Sequence, residues 1–490
     1  MNRSICVLAA LTAVPACSDT APGPPNIVWI LSEDQSDHYG PYGEQLAKTP
    51  YIDRMAEQGA IFTRAFVTAP VCSPSRSALV TGMYQTTIGA HNHRSGRGDR
   101  KIRLQGDVEP VPAIFRRAGY YVANGRLGDD GRQLGRGKTD YNFEYEQDLY
   151  DGADWAGRAE GQPFFAQIQL RGGKRRNQRT LEPLEGVQTN GISPDSVTLP
   201  PYYPDHPKLR EDWAQYLESI EHVDWEVGMV LDRLEQEGVA DNTVVFFLTD
   251  HGVSHARGKQ FLTEEGIRVP LVVRAPGRIE PGMVREDLVA HIDVAASSLA
   301  LAGIEVPGWM EGRPLFGPGA EPREYVVSAR DRCDETVDMI RSVRTERFKY
   351  IRNGVPERPH LQPNRYKDSK AVIRALRALR KEGKLAPEIE GLFFASRPEE
   401  ELYDLENDPW EMRNLSKDGD YVATLETMRA MLDGWIEATG DHGQALETAG
   451  EYAADMAVYQ RGQGGEQLEI LLRNIADVEA WRASRAEARD

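Results

Sequence analysis

Two short polar pairs close two apolar runs. Glu33-Asp34 ends "NIVWILSED" (26–34), and Asp250-His251 ends "TVVFFLTDH" (243–251). Three carboxylates and an imidazole make a donor set for a divalent cation. A lone acidic pair after a strand is ordinarily a solvated turn or a helix cap. Two such pairs, each followed by polar and Gly-rich sequence, point to one shared metal. A third feature is "VCSPSRSALVTG" (71–82), where Cys72 precedes Ser-Pro-Ser-Arg at the start of a helix that reads as beginning near Ser75. A helix N-terminus there offers positive potential to an anion.

These residues need elements that bring them together. Runs that are apolar on both faces suit central strands of a parallel sheet. In open α/β sheets, ligands sit beyond the carboxyl ends of the strands. Two such strands therefore deliver Glu33, Asp34, Asp250 and His251 to one place. Between them, 49–62 (stopping at Gly59), 108–120, 210–238 and 291–304 read as helices, and 267–277 as a strand. His222, His291 and Asp293 read as structural. From about residue 325 the pattern changes to short strands, "EYVVSAR", "IRSVRTERFKYIRN" and "EELYDL". The basic stretch 374–384 reads as a helix with a solvated face, 423–439 as a helix, and the charged tail beyond about 445 as helical. The expected fold class is α/β: a large mixed, mostly parallel sheet sandwiched by helices, with a smaller C-terminal α+β subdomain. The expected division is a signal peptide over 1–17, a catalytic domain over 25–324, a small-sheet subdomain over 325–443 and a helical tail over 444–490.

The chain has 490 residues and a net charge of −18. That balance argues against general nucleic-acid binding, which needs a basic face. A polyanionic substrate would bind only where basic residues cluster, as over 91–103 and in "RGGKRR" (171–176). "MNRSICVLAALTAVPAC" (1–17) has the short basic start and apolar run of a secretion signal, too short for a mature membrane helix. "VPAC" is also similar to a bacterial lipobox with Cys17 as the lipidated residue, so lipidation and simple cleavage both stay open. No other membrane segment is expected. Cys72 and Cys333 then remain, too few for a disulfide scaffold, although one bridge between them is the bland reading.

Cys-Ser-Pro-Ser-Arg followed by Ser-Ala-Leu-Val-Thr-Gly resembles the signature of type I sulfatases, in the alkaline phosphatase superfamily. "RGKQFLTEEGIRVP" (257–270) and "ELYDLENDPWEMRNL" (401–415) resemble further segments of that family, so the similarity spans roughly residues 25 to 440. The resemblance implies that a formylglycine-generating enzyme oxidises Cys72 to Cα-formylglycine. Its hydrate has two hydroxyls: one attacks sulfur to give a covalent sulfo-enzyme intermediate, and the other expels sulfate. It implies Glu33, Asp34, Asp250 and His251 as metal ligands, Glu33 replacing the commoner Asp. Hard oxygens suit Ca²⁺, while His251 leaves Mn²⁺ or Mg²⁺ open. It implies that Arg76 holds a diol oxygen and that Lys259 binds sulfate.

The sequence departs from the family in two places. After "AGY", Lys138 takes the family lysine position, with Arg126 as its rival, and Asp140 stands where the family has a histidine. After "PFF", Arg171 and Lys174 occupy the region of a His-x-Pro-His run, and Lys174 is the expected sulfate contact. A lysine or arginine is a poorer proton donor near neutral pH than histidine. His91, His93 and Arg94 in "HNHR", and His255 four residues past His251, are therefore candidates for substrate contact or proton transfer. The segment 330–344 is expected to face the pocket, with Cys333 a bystander. The arrangement is similar to bacterial polysaccharide sulfatases and heparan N-sulfatase-like proteins. The expected partner is a sulfated oligosaccharide or polysaccharide, met in the periplasm or at the outer membrane. Two alternatives remain: a phosphonate or phosphodiester hydrolase of the same superfamily, and a non-catalytic sulfated-glycan-binding relative.

Overall fold

A computed structural model describes residues 23–128, 131–177 and 191–487. The expected signal peptide over 1–17, with Cys17, lies outside these, as do the side chains of Arg175 and Arg176. The main sheet has eight strands in the order Gln133–Arg136, Tyr121–Leu127, Phe164–Gln169, Asn26–Ser32, Thr243–Thr249, Leu271–Arg274, Ala60–Phe62, Met283–Arg285. The four strands from Tyr121–Leu127 to Thr243–Thr249 are parallel. Gln133–Arg136 and Leu271–Arg274 run against their neighbours, giving the mixed, mostly parallel sheet expected.

The reason lies in the central strand, where all seven residues of Asn26–Ser32 are buried. Successive side chains point to opposite faces. Val28 and Ile30 join a core with Ile52 and Met55 of the helix Pro50–Glu57 and with Ile220 and Val227 of the long helix Pro207–Gln236. Ile27, Trp29 and Leu31 join the opposite core with Phe115 of Val111–Arg117 and Leu299 of Asp293–Leu301. Trp29 Nε1 donates to Ser298 Oγ at 2.8 Å, so its one polar atom is satisfied in that core.

A second, antiparallel sheet takes the strands Val326–Arg330, Ile340–Arg344, Phe348–Asn353 and Glu400–Asp404 in chain order. The helix Val422–Thr439 packs on it through Leu425, Met428, Leu432 and Trp435. The basic stretch read as a helix over 374–384 forms Ala371–Lys381, and its apolar face is used: Val372, Ile373 and Leu376 are buried beside the long helix. The tail forms two helices, Ala449–Gln460 and Gly465–Glu487, and the first starts with a Thr448–Glu451 capping box. They fold back on the body, where Val337 shares a core with Tyr452, Met456 and Ile475.

Candidate active site

Ser32 and Thr249 are register partners on adjacent parallel strands, so the residues that follow them emerge side by side. Asp34 turns at φ 56° and donates its N–H to Asp250 Oδ1 at 3.3 Å. His251 Nδ1 lies 3.0 Å from the Gly252 carbonyl, which can only accept, so Nδ1 carries the proton. Its Nε2 faces Asp34 Oδ1 at 3.3 Å, Asp250 Oδ1 at 3.4 Å and Cys72 Sγ at 3.2 Å. Two carboxylate oxygens and an imidazole nitrogen gathered so closely are nitrogen and oxygen donors turned to one point. The donor set thus fits a divalent ion, with the Gly252 carbonyl orienting the imidazole from behind. Glu33 departs from this grouping. Its Oε2 contacts Lys138 Nζ (3.0 Å) and Lys174 Nζ, and its Oε1 lies 3.4 Å from Arg76 Nη2.

Cys72 begins the helix Cys72–Thr81, three residues earlier than the sequence suggests, because Pro74 falls in the first turn, where an amide hydrogen has no intrahelical acceptor. The whole helix is buried, and its serines fasten it. Ser73 Oγ accepts from Arg94 N at 2.7 Å, and Ser77 Oγ accepts from Asn142 N at 3.0 Å. Ser75 Oγ donates to the Asp250 carbonyl. His291 accepts from Thr68 N at 3.2 Å, so its Nε2 donates to the Ser75 carbonyl at 2.9 Å. His291 is thus structural, as expected, and burial pushes it down to about 4, keeping it neutral.

Cations fill the space between the helix and the strand ends. Lys259 Nζ is 3.0 Å from Asp34 Oδ1 and donates to Cys72 Sγ at 3.2 Å. Arg76 donates from Nε to Asp250 Oδ2 at 3.0 Å and from Nη1 to Gln169 Oε1 at 2.7 Å. Lys138 Nζ lies 3.6 Å from Asp140 and 3.8 Å from Asp250. Its rival, Arg126, is exposed on the strand. Lys174 reaches the cluster because Gly172 and Gly173 precede it: a Cβ on the first would sit 2.2 Å from the Glu33 carbonyl oxygen, and on the second 2.3 Å from that of Asp34. Burial, with Lys259 next, pushes Lys174 down to about 7, against the opposing pull of Asp250. Burial works against ionisation of Cys72, but Lys138 and Lys259 outweigh it and hold the thiol well below its usual value. Asp250 is likewise held well below the carboxylate range against burial, by His251, Arg76 and the lysines. Strongly shifted groups gathered at strand ends mark a functional site.

The other expected residues divide. His93 is buried at the site, with one ring nitrogen, Cys72 Sγ and an Asp140 oxygen all within 4.8 Å of one another. Asp140 is bound by Arg97 and lies 3.6 Å from Arg94 Nε. Burial would raise its pKa, but Lys138 and Arg94 keep it ionised. His255 is turned elsewhere: its Nε2 meets Asp212 Oδ2 at 2.7 Å and its ring stacks on Trp213, centroids 4.8 Å apart, so it packs a core. His91 lines a separate recess with His442, and burial pushes it down to about 4. Arg171 is exposed on the loop. The basic run over 91–103 is not a free cationic rim, since Arg97, Arg100 and Arg103 pair with Asp140, Glu451 and Glu144.

The sequence reading missed Tyr366, whose hydroxyl donates to Asp34 Oδ2 at 2.9 Å, and Lys370, whose Nζ lies 4.5 Å from the Tyr366 ring centre. No local pattern marks either, since both sit in a polar segment 332 residues or more beyond Asp34. It also missed Asp334 and Tyr459, which hold His93. The only signal for Asp334 was its place in the segment 330–344.

The Sulfatase family model matches residues 25–304. An ulvan-active sulfatase of Formosa agariphila is 32% identical over 474 residues, covering 87% of this chain and 77% of the relative. Human N-sulphoglucosamine sulphohydrolase is 24% identical over 476 residues, covering 85% and 91%. Among solved structures, a 2-O GAG sulfatase superposes with a TM-score of 0.60 at 20% identity, covering 86% of this chain and 94% of that one. A phosphonate monoester hydrolase of Agrobacterium radiobacter gives 0.60 at 18% identity, covering 86% and 97%.

Proposed function

The chain belongs to the sulfatase family and is a sulfuric ester hydrolase, and from that premise we propose that it releases sulfate from a sulfated carbohydrate through a formylglycine formed at Cys72. The observation that carries the reading is the seat of Cys72. Its Sγ lies at a helix start, 3.2 Å from both His251 Nε2 and Lys259 Nζ, beside the ends of two neighbouring strands. Those polar neighbours suit an oxygen-bearing side chain. The hydrated aldehyde supplies two hydroxyls on one carbon, one to displace the sugar oxygen from sulfur and one to let sulfate depart. A formylglycine-generating enzyme is the maturation partner this requires.

Asp34, Asp250 and His251, with Glu33 beside them, would hold the divalent cation, and their oxygens favour Ca²⁺ over Mn²⁺ or Mg²⁺. Such an ion supplies Lewis acidity that makes a bound oxygen a better nucleophile near neutral pH. The protein's own groups do the rest. Lys259, Lys138 and Lys174 offer three ammonium groups to the sulfuryl oxygens, and the free N–H groups of the Cys72–Thr81 helix add to them. Arg76, bound to Asp250 and Gln169, is fixed against the nucleophile. The likeness to sulfatases acting on ulvan and on N-sulphoglucosamine supports a carbohydrate as the sulfate carrier. The apolar N-terminal run supports export to the periplasm, or retention at the outer membrane by a lipid on Cys17.

The test joins peptide mass spectrometry of position 72 to sulfate release from a panel of defined sulfated saccharides. Formylglycine with released sulfate is the expected result. An unmodified cysteine in a host that carries out the modification, together with no release, overturns the proposal. Faster cleavage of an aryl phosphonate than of any sulfate ester would move the substrate to phosphonates, and tight glycan binding without turnover would mark a binding protein.

A further inference from the structure

A sugar oxygen leaving sulfur needs a proton, and Asp140 near Cys72 is kept ionised and cannot donate one. The described residues place another group there. His93 is 3% exposed, and its Nδ1 lies 3.1 Å from Asp334 Oδ1, 3.1 Å from the Tyr459 hydroxyl and 3.9 Å from Cys333 Sγ. Its backbone is pinned as well: its N–H donates to the Arg332 carbonyl at 2.9 Å, and its own carbonyl accepts from Arg332 Nη1 at 3.0 Å and from the Tyr459 hydroxyl at 3.2 Å. The other ring nitrogen, Nε2, is buried without a hydrogen-bond partner. A buried polar atom with no partner calls for one. Three non-glycine residues around the ring, Arg94, Asp140 and Asp334, hold left-handed backbone at φ 53°, 55° and 52°. Strained residues of this kind concentrate at functional sites.

We propose that His93 is the catalytic proton donor to the leaving sugar oxygen, with Asp334 and the tail residue Tyr459 as its positioning residues. This rests on the sulfated-carbohydrate reading above. In the step, the bond between sulfur and the sugar oxygen breaks as the bond between sulfur and the nucleophile at position 72 forms. The electron pair of the broken bond stays on the sugar oxygen, which takes the proton from Nε2. The attacking hydroxyl loses its proton to solvent, and His93, left neutral, takes the proton that the second hydroxyl gives up as sulfate departs; water adding across the aldehyde then restores both hydroxyls. Nδ1–H stays on Asp334 throughout. Burial would strip the ring of its charge, but Asp334 and then Cys333 hold it up at about 10, so it enters the step protonated. The helix Ala449–Gln460 is thereby part of the active site, since it carries Tyr459.

The experiment compares His93→Gln with the unaltered enzyme on a sulfated oligosaccharide and on 4-nitrophenyl sulfate, whose leaving group needs no proton. Sugar cleavage is expected to fall about 100-fold or more, and the loss on sugar to exceed the loss on the aryl ester by more than about 10-fold. A ratio of losses below that overturns the proposal. If the unaltered enzyme turns over no aryl sulfate, imidazole added to His93→Ala replaces the ratio. Restored sugar cleavage supports the assignment, and none overturns it. If thermal melts show that the His93 variants do not fold, Tyr459→Phe is read by the same two measurements, with a loss confined to the sugar as the supporting result. Failure of the unaltered enzyme to release sulfate from either ester would instead overturn the sulfatase reading beneath it.

Discussion

The site has two walls, and they are built by different means. One comprises the ends of two neighbouring strands, where the ladder from Asn26–Thr243 to Ser32–Thr249 fixes where Asp34, Asp250 and His251 emerge. The other is assembled from the loop around His93, the turn around Asp334, the short helix Arg365–Asp368 and the tail helix Ala449–Gln460. It is held mainly by side chains, with one backbone bond from His93 N–H to the Arg332 carbonyl: Tyr459 on His93, Arg332 on Glu447 and Asp455, and the Tyr452 hydroxyl on the Glu335 carbonyl. A backbone ladder positions charge cheaply, since the same hydrogen bonds that stabilise the sheet aim its ends. A wall of buried ion pairs between distant segments pays desolvation for each charge and depends on every partner being present. The strand-end wall should therefore serve the nucleophile and the sulfuryl charge, and the far wall should supply the proton for the leaving sugar oxygen.

The largest effect that would sharpen this contrast is at Cys72. Cys72→Ala should lower sulfate release by about 10⁴-fold or more, and Cys72→Ser should recover little of it, because serine has no second hydroxyl on the same carbon. Substantial turnover by the serine variant, measured with position 72 verified by mass spectrometry, would sink the two-hydroxyl chemistry. Next comes the cation. Exhaustive chelation should reduce activity about 100-fold or more, with recovery on adding Ca²⁺, Mn²⁺ or Mg²⁺. Undiminished activity in a metal-free preparation, checked by elemental analysis, would remove the cation from the strand-end wall.

A smaller effect is expected at Gly173. The Cβ of Gly173→Ala would meet the Asp34 carbonyl, so Lys174 or Asp34 must shift, at a loss of about 10- to 100-fold in kcat. Kinetics identical to the unaltered enzyme would show that this approach is not critical. On the far wall, Tyr366→Phe removes one hydrogen bond to Asp34 and leaves the ladder intact. A loss of about 3- to 10-fold is expected; a loss as large as that for Cys72→Ala would erase the distinction between the walls.

The smallest effect is on stability. His291 has a folded pKa of about 4, below its unfolded value of about 6.5. Its contribution is therefore fully present above about pH 6.5 and is lost as pH falls toward 4, by up to about 3 kcal/mol. Thermal melts of His291→Gln should show a shallower fall across that window than the unaltered protein; parallel curves would assign the acid sensitivity elsewhere.

Much of this was legible in the chain itself. The apolar strands with their polar ends read directly, and the resemblance to the sulfatase signature pointed to the motif helix and to the cations Arg76, Lys138, Lys174 and Lys259. His255 shows where proximity in sequence misleads: it lies four residues past His251, yet the turn that follows points it into the ring of Trp213. Tyr366, Asp334 and Tyr459 carried no such pattern, being ordinary residues in polar segments.

The sequence by itself determined the apolar strands, the motif at Cys72 and the charges that meet there, since hydrophobic period and motif spacing are short-range properties of a chain. Which histidine faces Cys72, which carboxylate holds it and which segments close the site were decided only by the tertiary structure. Those contacts join residues as far apart as His93 and Tyr459, 366 positions along the chain, and their energy exists only once the two sheets and the tail have packed.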